Sequence, residues 1–260
     1  MKFSDCNVTS QADYCALCGT VTEIVVDDCC CNEDSFNKLD FSRFGSVEQI
    51  RVGSYSFRNV LSLTIHRLPQ LKEVKVGCDS FTSRQKTGNV FCLKNCKGLK
   101  ELKIGHGSFS KYSACEISNL DELEVIEMGT LEAGGPFSSA SLKLKNLPKV
   151  KILLFGTGAF CCCIQCVIEN LPELTSIHFG WSAFSFKSDD SSKLIMRNLP
   201  KLTTIVTEGE TNSVFSSIHS IVLENIPSLT TISGVNCFSD VNKSNVKAKN
   251  ISPTLAASLK

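Results

Sequence analysis

Apolar and polar residues alternate in two short stretches that return together along most of the chain. The clearest copy of the first stretch is LKELKIGHGSF, from Leu99 to Phe109, and the second stretch of the same repeat is CEISNL, from Cys115 to Leu120. Alternation with a period of two is typical of strands that bury one face. Each repeat therefore predicts two β-strands joined by short corners.

The first apolar residue of each repeat gives the period of the pattern. It falls at Val47, Leu71, Leu99, Leu123, Val150, Leu174, Leu202 and Leu229, with spacings of 24, 28, 24, 27, 24, 28 and 27 residues. A period in this range is the sequence signature of a solenoid. With a degenerate repeat at each end, the register predicts a mainly β solenoid of about nine coils of 24–28 residues between residues 21 and 251.

Glycine and phenylalanine recur after the first strand. The glycines are Gly53, Gly77, Gly105, Gly129, Gly156 and Gly180. Because glycine adopts positive φ without a steric penalty, we expect these residues to turn the chain at a corner with positive φ. The phenylalanines are Phe36, Phe57, Phe81, Phe109, Phe160 and Phe184, with Phe137 and Phe238 slightly displaced. Stacked coils predict that these rings form one interior column.

An asparagine closes the second strand in most repeats, usually before Leu-Pro or Ile-Pro. These residues are Asn95, Asn119, Asn146, Asn170, Asn198, Asn225 and Asn250. Because buried turn backbone needs hydrogen-bond partners, we expect inward-facing amides that form a structural ladder with the turns of adjacent coils. An exposed column that binds a ligand is the alternative.

The first strand pattern, L-x-x-L-x-I followed by a small residue and a phenylalanine, resembles the leucine-rich repeat family. The residues from Asn95 to Phe109 and from Gly156 to Phe160 look most like its BspA-like class. The resemblance implies a right-handed solenoid with a parallel sheet on a concave face that recognises proteins. The second strand departs from the helical convex side of many members, so we expect shallow curvature.

Composition limits the classes of partner and compartment. The chain has 27 basic and 26 acidic residues, so its net charge favours neither nucleic acid nor an anionic membrane. The start, MKFSDCNVTSQADYC, lacks the apolar core of a signal peptide, and no stretch is apolar for long enough to insert into a membrane. We therefore expect a cytoplasmic protein whose 15 cysteines are free thiols.

A cell-surface or secreted adhesin is the alternative from another functional class. The resemblance to BspA-like proteins supports it, because these proteins are often surface molecules. Three Asn-x-Ser/Thr triplets, beginning at Asn7, Asn242 and Asn250, are possible glycosylation sites in such a setting.

Two cysteine clusters raise the question of a metal site. Cys15 and Cys18 have a C-x2-C spacing and are followed by Cys29 and Cys30, with Cys6 and Cys31 nearby. A second cluster contains Cys161, Cys162, Cys163 and Cys166. The second cluster has a C-x2-C spacing too, but structural zinc usually takes its four ligands from two such pairs at a standard separation, and no second pair follows the first at that separation. We expect no cofactor, with a zinc-dependent assembly module through the N-terminal cysteines as a further hypothesis.

Catalytic patterns are weak. The four histidines, His66, His106, His178 and His219, lie in four different repeats, and the acid pairs Asp27–Asp28 and Asp189–Asp190 fall in connections. No nucleotide-binding glycine motif is present. The sequence therefore predicts a protein that is not an enzyme.

The exposed positions of the first strand predict the binding site. One position before the last buried residue, successive repeats contain Arg51, Lys75, Lys103, Glu127, Leu154, His178 and Val206. This series, which we name the predicted column, changes from charged to apolar along the solenoid. A mixture of this kind is typical of protein interfaces. We expect a recognition scaffold that binds a protein partner on the parallel sheet.

The organisation of the chain follows from the repeats. We expect a Cys-rich cap or tail in residues 1–20, the solenoid in 21–251 and a tail in 252–260. Neither terminal segment has an obvious capping pattern. Open sheet edges at the two ends therefore predict either an oligomer or a fragment of a longer protein.

Overall fold

The computed structural model describes residues 6–83, 88–131, 133–208, 214–233, 237–238 and 243–259. In this part of the chain the backbone winds into a parallel β-solenoid in which each coil contributes one strand to each of two sheets. The predicted mainly β solenoid is thereby confirmed. The two parallel sheets lie on opposite sides of the core.

The first strand of each coil enters a ten-stranded sheet. Its strands are β1 (Cys6–Val8), β2 (Glu23–Val26), β4 (Gln49–Val52), β6 (Glu73–Val76), β8 (Glu101–Ile104), β10 (Val125–Met128), β12 (Ile152–Phe155), β14 (Ser176–Phe179), β16 (Thr204–Thr207) and β18 (Thr231–Ser233). All neighbouring strands pair in parallel, one coil apart.

The second strand of each coil enters a nine-stranded sheet. Its strands are β3 (Lys38–Asp40), β5 (Ser62–His66), β7 (Val90–Lys94), β9 (Ala114–Ser118), β11 (Ser141–Lys145), β13 (Gln165–Glu169), β15 (Lys193–Arg197), β17 (Ser220–Ile226) and β19 (Val246–Ile251). The helical elements are α1 (Gln11–Ala16), α2 (Pro253–Ser258) and a 3₁₀ turn (Lys243–Asn245). In the described residues, no helix is both long and apolar enough to span a membrane.

The predicted phenylalanine column lies between the two sheets. Phe81, Phe109 and Phe137 stack almost face to face, with ring centroids 4.6 Å apart in both steps. All three rings are fully buried. Parallel offset rings at this distance add a favourable contact beyond their burial. The column therefore ties successive coils together through the core.

The first coil departs from the expected aromatic register. The amide of Phe57 donates to the carbonyl of Cys30, just as that of Phe81 donates to the carbonyl of Ser56. Cys31, with φ 56°, thus holds the position equivalent to Phe57. Phe36 instead precedes β3 and touches the Phe57 ring from the edge, with centroids 5.5 Å apart. The sequence alignment was wrong here because it matched residue type rather than hydrogen-bond register.

The recurring glycines form the corners, but not for the expected reason. Of the six, only Gly129 has positive φ, 81°. At the others, the absence of a Cβ lets the neighbouring coil approach closely. A Cβ on Gly105 would lie 2.5 Å from the carbonyl carbon of Gly77, and one on Gly77 would lie 2.6 Å from the amide of Ser54. Packing between coils therefore requires glycine at these corners.

The asparagines form a ladder on the surface rather than inside. Each side-chain Nδ2 donates to the Oδ1 of the asparagine in the preceding coil. The six distances are 3.1, 2.8, 2.8, 2.7, 3.0 and 2.7 Å from Asn119 to Asn250. All seven residues have positive φ, and the Nδ2 of Asn95 meets Nε2 of His66 at 3.0 Å. The predicted ladder exists, but its amides bond to one another and not to inward-facing turns.

The N-terminal residues 6–17 pack over the first coil. Strand β1 extends the ten-stranded sheet, and α1 begins with a capping box between Ser10 and Asp13. The Tyr14 ring contacts the rings of Phe36 and Phe44, with centroids 5.4 and 5.8 Å apart. This segment covers one end of the core.

Candidate binding face

The predicted column is continuous across the ten-stranded sheet. Arg51, Lys75, Lys103, Glu127, Leu154, His178 and Val206 are direct register partners from β4 to β16. Parallel strands are about 4.8 Å apart, so these seven side chains leave the sheet side by side. The strand geometry thus brings the sequence-predicted residues together.

A second exposed series runs beside the predicted column, and we name it the flanking column. It contains Gln49, Glu73, Glu101, Val125, Ile152, Ser176 and Thr204. Each of its residues lies two positions earlier on the same strand and therefore points to the same side of the sheet. The two columns together form the candidate recognition face.

The charged half of this face is an alternating ion-pair ladder. Glu73 lies 3.1 Å from Arg51 and 2.9 Å from Lys75, and Glu101 lies 3.3 Å from Lys75 and 2.8 Å from Lys103. Lys103 continues the ladder to Glu127 at 3.4 Å. The sequence predicted that this half is charged, and the structure shows that its three cations are bonded to acids on the same face. This half therefore presents paired charges rather than a positive field.

The pKa values of the ladder follow from these contacts. Hydrogen bonding to Glu73 raises the pKa of Lys75, and hydrogen bonding to Glu101 raises that of Lys103. The hydrogen bond from Lys103 lowers the pKa of Glu101. Partial burial works in the opposite direction on Glu73, but the bonds from Lys75 and Arg51 outweigh it and lower the pKa of this carboxyl. All four groups are held in their charged forms.

The other half of the face is apolar. Val125, Leu154 and Val206 are half-buried, and Ile152 is 44% exposed. Ser176 and Thr204 continue the flanking column beside them. A sheet face that only met water would need no aliphatic side chains at adjacent register positions. This half is therefore the apolar part of the candidate recognition face.

A tryptophan at the next corner was missed by the sequence analysis. Trp181 follows Gly180, its side chain is 54% exposed, and its carbonyl accepts a hydrogen bond from the Gly158 amide at 2.7 Å. Large exposed aromatic residues are enriched at protein interfaces. The signal was present in the sequence, since this is the only tryptophan of the chain.

A shallow groove borders the charged half of the face. Its volume is about 370 Å³, and its floor contains the corner residues Gly77, Gly105 and Gly129. Lys75, Lys103, Glu127, Cys78, His106 and Thr130 are among the residues along its sides. Val76 and Ile104 lie beneath the corners and also line the groove, but both are buried, with 5% and 3% exposure. The groove therefore joins an apolar floor to paired charges.

Buried serines support the corners beneath this groove. The Ser80 hydroxyl donates to the Gly53 carbonyl at 2.8 Å, and the Ser108 hydroxyl donates to the Gly77 carbonyl at 2.7 Å. The Ser80 amide in turn donates to the Ser108 hydroxyl at 3.0 Å. Such fully bonded polar chains hold the backbone in place. These bonds therefore fix the backbone of the corners beside the candidate recognition face.

The N-terminal cysteines do not converge on one point. Cys15, Cys18 and Cys29 are exposed and Cys30 is half-buried, and all are free thiols. In the part of the chain that the structure describes, no three His, Cys, Asp or Glu side chains are grouped in a way that would hold a metal ion. The side chain of Cys6 lies outside the described residues. The described residues therefore give the zinc hypothesis no ligand set.

The second cysteine cluster contributes mainly to the core. Cys163 and Cys166 are fully buried, and burial raises the pKa of both thiols well above its usual value. Cys161 is half-buried, and its thiol donates to the Ser138 carbonyl at 3.6 Å. A thiol with a raised pKa is a poor nucleophile and a poor metal ligand. These residues act as small apolar side chains.

Two histidines have acidic partners in neighbouring coils. Nε2 of His106 lies 3.8 Å from Asp79, and Nδ1 of His219 lies 3.6 Å from Asp190. The other ring nitrogen of His219 lies 3.2 Å from the Asn245 amide. Because His66 bonds to Asn95 and His178 belongs to the recognition face, the four histidines remain in separate places. The fold does not bring them together.

The chain was compared with protein-family models, curated proteins and solved structures, and no match was found in any of the three.

Proposed function

We propose that this protein is a recognition scaffold that binds a protein partner through the ten-stranded sheet. The observation that carries the proposal is the row of partly exposed aliphatic residues around Ile152 and Leu154 at adjacent register positions of the sheet. Interfaces typically combine an apolar centre with a polar rim. Here the ion-pair ladder on one side and the Thr-rich coils on the other would form that rim.

The ion-pair ladder supports specificity rather than general attraction. Its alternating charges, from Arg51 to Glu127, leave little net field to draw in acidic molecules. A partner that contacts this half must match the alternation, because like charges opposite each other are unfavourable. This arrangement supports a protein with a defined surface and not a nucleic acid.

The leucine-rich-repeat resemblance and the reducing compartment remain part of the proposal. The first strand pattern supports a BspA-like origin of the repeats. The buried free thiols of Cys96, Cys115 and Cys166 support a cytoplasmic setting, because they lie in the core without disulfide partners. The chemistry proposed for the protein is binding alone.

The proposal is tested by matched substitutions on the two sheets. Leu154→Lys places a charge in the apolar half of the recognition face, whereas Val222→Lys does the same at a half-buried outward position of the nine-stranded sheet. A photo-crosslinking residue at position 154 first identifies the partner in a lysate, and the purified partner is then titrated against each variant. We expect Leu154→Lys to weaken binding at least about tenfold, and Val222→Lys to leave it within about twofold.

A charge-swapped ladder provides the second arm. The variant combines Arg51→Glu, Lys75→Glu and Lys103→Glu with Glu73→Lys, Glu101→Lys and Glu127→Lys, so that its net charge and its alternation are kept. We expect weaker binding with unchanged stability. Equal affinity for wild type, the swapped ladder and Leu154→Lys, or a greater loss for Val222→Lys, would show that the partner binds elsewhere.

A further inference from the structure

The nine-stranded sheet ends in an open edge at its C-terminal side. β19 pairs with β17, and in the described residues no strand lies on its other side. Residues 247–250 are all exposed, including Ala248, whose register partner Leu223 is fully buried. Alternate residues of an edge strand direct free N–H and C=O groups outward. The last coil therefore offers a template for one more strand.

Two lysines that have no ion-pair partner in the described part of the chain mark this edge. Lys247 and Lys249 leave the outer face of β19 beside Val222 and Glu224 of β17. Glu224 is already paired with Arg197 at 3.4 Å. Among the described residues, no carboxylate lies within ion-pairing distance of either lysine. Earlier in the same sheet, lysines are paired with acids one coil further on, as Lys94 with Glu116 at 2.6 Å and Lys145 with Glu169 at 2.9 Å. An added strand with acids at both outward positions would continue this pattern.

The asparagine ladder also stops at this edge. Asn250 donates to Asn225 at 2.7 Å, and in the described part of the chain no donor reaches the Oδ1 of Asn250. Within the solenoid, that acceptor position is always filled by the next asparagine along the chain. A segment that followed the second-strand pattern would place an asparagine amide there.

A second copy of the chain does not fit this edge. Stacking in continuous register would set the β3 strand of the second copy against β19 and its β2 strand against β18. The position in front of β2 is already occupied by the β1 strand of the same copy. Antiparallel pairing of two β19 strands about a two-fold axis at Ala248 would place Lys247 and Lys249 against the same lysines, which is unfavourable. These two modes of self-association are therefore disfavoured.

We propose that β19 binds an extended acidic segment of another protein by addition of a parallel β-strand. The segment has acidic residues at the two outward positions opposite Lys247 and Lys249, apolar residues between them and an asparagine beyond. Backbone hydrogen bonds supply the affinity, and the two lysines select the sequence. This site lies at the end of the solenoid and is independent of the recognition face.

The probe is a peptide designed from the chain itself. Residues 220–227, SIVLENIP, pair with β19 from the inner side, so the same pattern with an acid at its third position, acetyl-SIELENIP-amide, places acids opposite both lysines. We expect this peptide, fluorescently labelled, to bind the full chain in a salt-sensitive manner. The lysine version, SIKLKNIP, should bind at least about tenfold more weakly, because two attractive cross-strand pairs become repulsive.

Two further arms keep the test decisive. Lys247→Glu with Lys249→Glu should reverse the preference, so that SIKLKNIP binds better than SIELENIP, a result that misfolding cannot produce. The control Lys143→Glu changes an exposed lysine in the same outward column, within the interior of the sheet, and should change nothing. The proposal is overturned if neither peptide binds, if both bind alike, or if N-methylation of alternate peptide amides leaves binding intact.

Discussion

At the scale of single residues, the corner glycines show how the neighbouring coil decides which side chain is allowed. Gly105 has no positive φ, yet a Cβ there would lie 2.5 Å from the backbone of Gly77. Gly107, two residues later, has φ +67°, and its missing Cβ also leaves room for the Asp79 carboxylate. Position 105 thus requires glycine because the neighbouring coil approaches closely. Position 107 requires glycine for space and also for its backbone conformation.

The close approach makes Gly105 sensitive to the smallest substitution. We expect Gly105→Ala to lower the free energy of unfolding by about 1–3 kcal/mol, the usual cost of forcing an extra carbon into packed structure. The measurement is equilibrium denaturation in urea.

Gly45 is the matched control for this substitution. Nothing lies within 4 Å of a Cβ at this position. Gly45→Ala should therefore change the free energy of unfolding by less than about 0.5 kcal/mol. A similar loss for both variants would mean that crowding at the corner is not the cause.

At the scale of repeated elements, the asparagine ladder combines two requirements in one residue. The backbone after each second strand needs positive φ, which asparagine tolerates better than most residues. The same side chain then bonds to its neighbours, as Asn146 does with Asn119 and Asn170, both at 2.8 Å. The conformation and the bonds between coils are therefore separable by mutation.

Asn146→Gly and Asn146→Ala separate these contributions. Glycine keeps the backbone conformation, φ 56°, and loses only the amide bonds. We expect a loss of about 1 kcal/mol for this pair of exposed hydrogen bonds. Alanine should lose about 1 kcal/mol more, because it also disfavours positive φ. Urea denaturation of both variants checks the order. A Gly variant as stable as wild type would show that the ladder adds nothing to stability.

At the scale of the whole molecule, the stacking of coils places Glu73 and Glu101 between cations of neighbouring coils and makes this ladder sensitive to acid. Because the folded-state pKa of Glu73 and Glu101 lies below the ordinary value of 4.5, the unfolded chain binds protons before these carboxylates do. Their contribution to stability is complete above about pH 4.5 and is lost as the pH falls through the lowered folded-state pKa values. The ladder should therefore weaken in acid.

A double variant measures this contribution. Between pH 5.5 and pH 3, the free energy of unfolding of the wild type should fall by about 1 kcal/mol more than that of the double variant Glu73→Gln/Glu101→Gln. This difference is the scale of an exposed ion-pair network. The control, Glu122→Gln with Glu173→Gln, removes two carboxylates that each contact a single lysine, Lys149 and Lys201. Unfolding in urea at each pH gives the difference. The prediction would be refuted if the free energy of unfolding of the wild type and that of the double variant changed equally with pH.

The sequence predictions agree with the structure for features that are set by the pattern within each repeat. Period, strand pairs, the phenylalanine column and the exposed column all follow from residue types at fixed spacing, because each coil repeats the same alternation of buried and exposed positions. The register error at Phe36 arose where a coil lacked the usual spacing. Two features depend instead on the adjacent coils. These are the close approach that requires glycine at the corners and the direction in which the asparagine side chains point.

The sequence alone determined that this protein is a parallel β-solenoid and which side chains share its exposed column. The physical reason is that burial with a period of two, combined with a regular repeat, fixes how the coils stack. Only the tertiary structure decided that Arg51, Lys75 and Lys103 are neutralised by Glu73, Glu101 and Glu127. It also decided that Lys247 and Lys249 of the last described strand have no ion-pair partner among the residues that the structure describes. Contacts between coils depend on side-chain distances across the sheet, and these distances cannot be read from the spacing of residues along the chain.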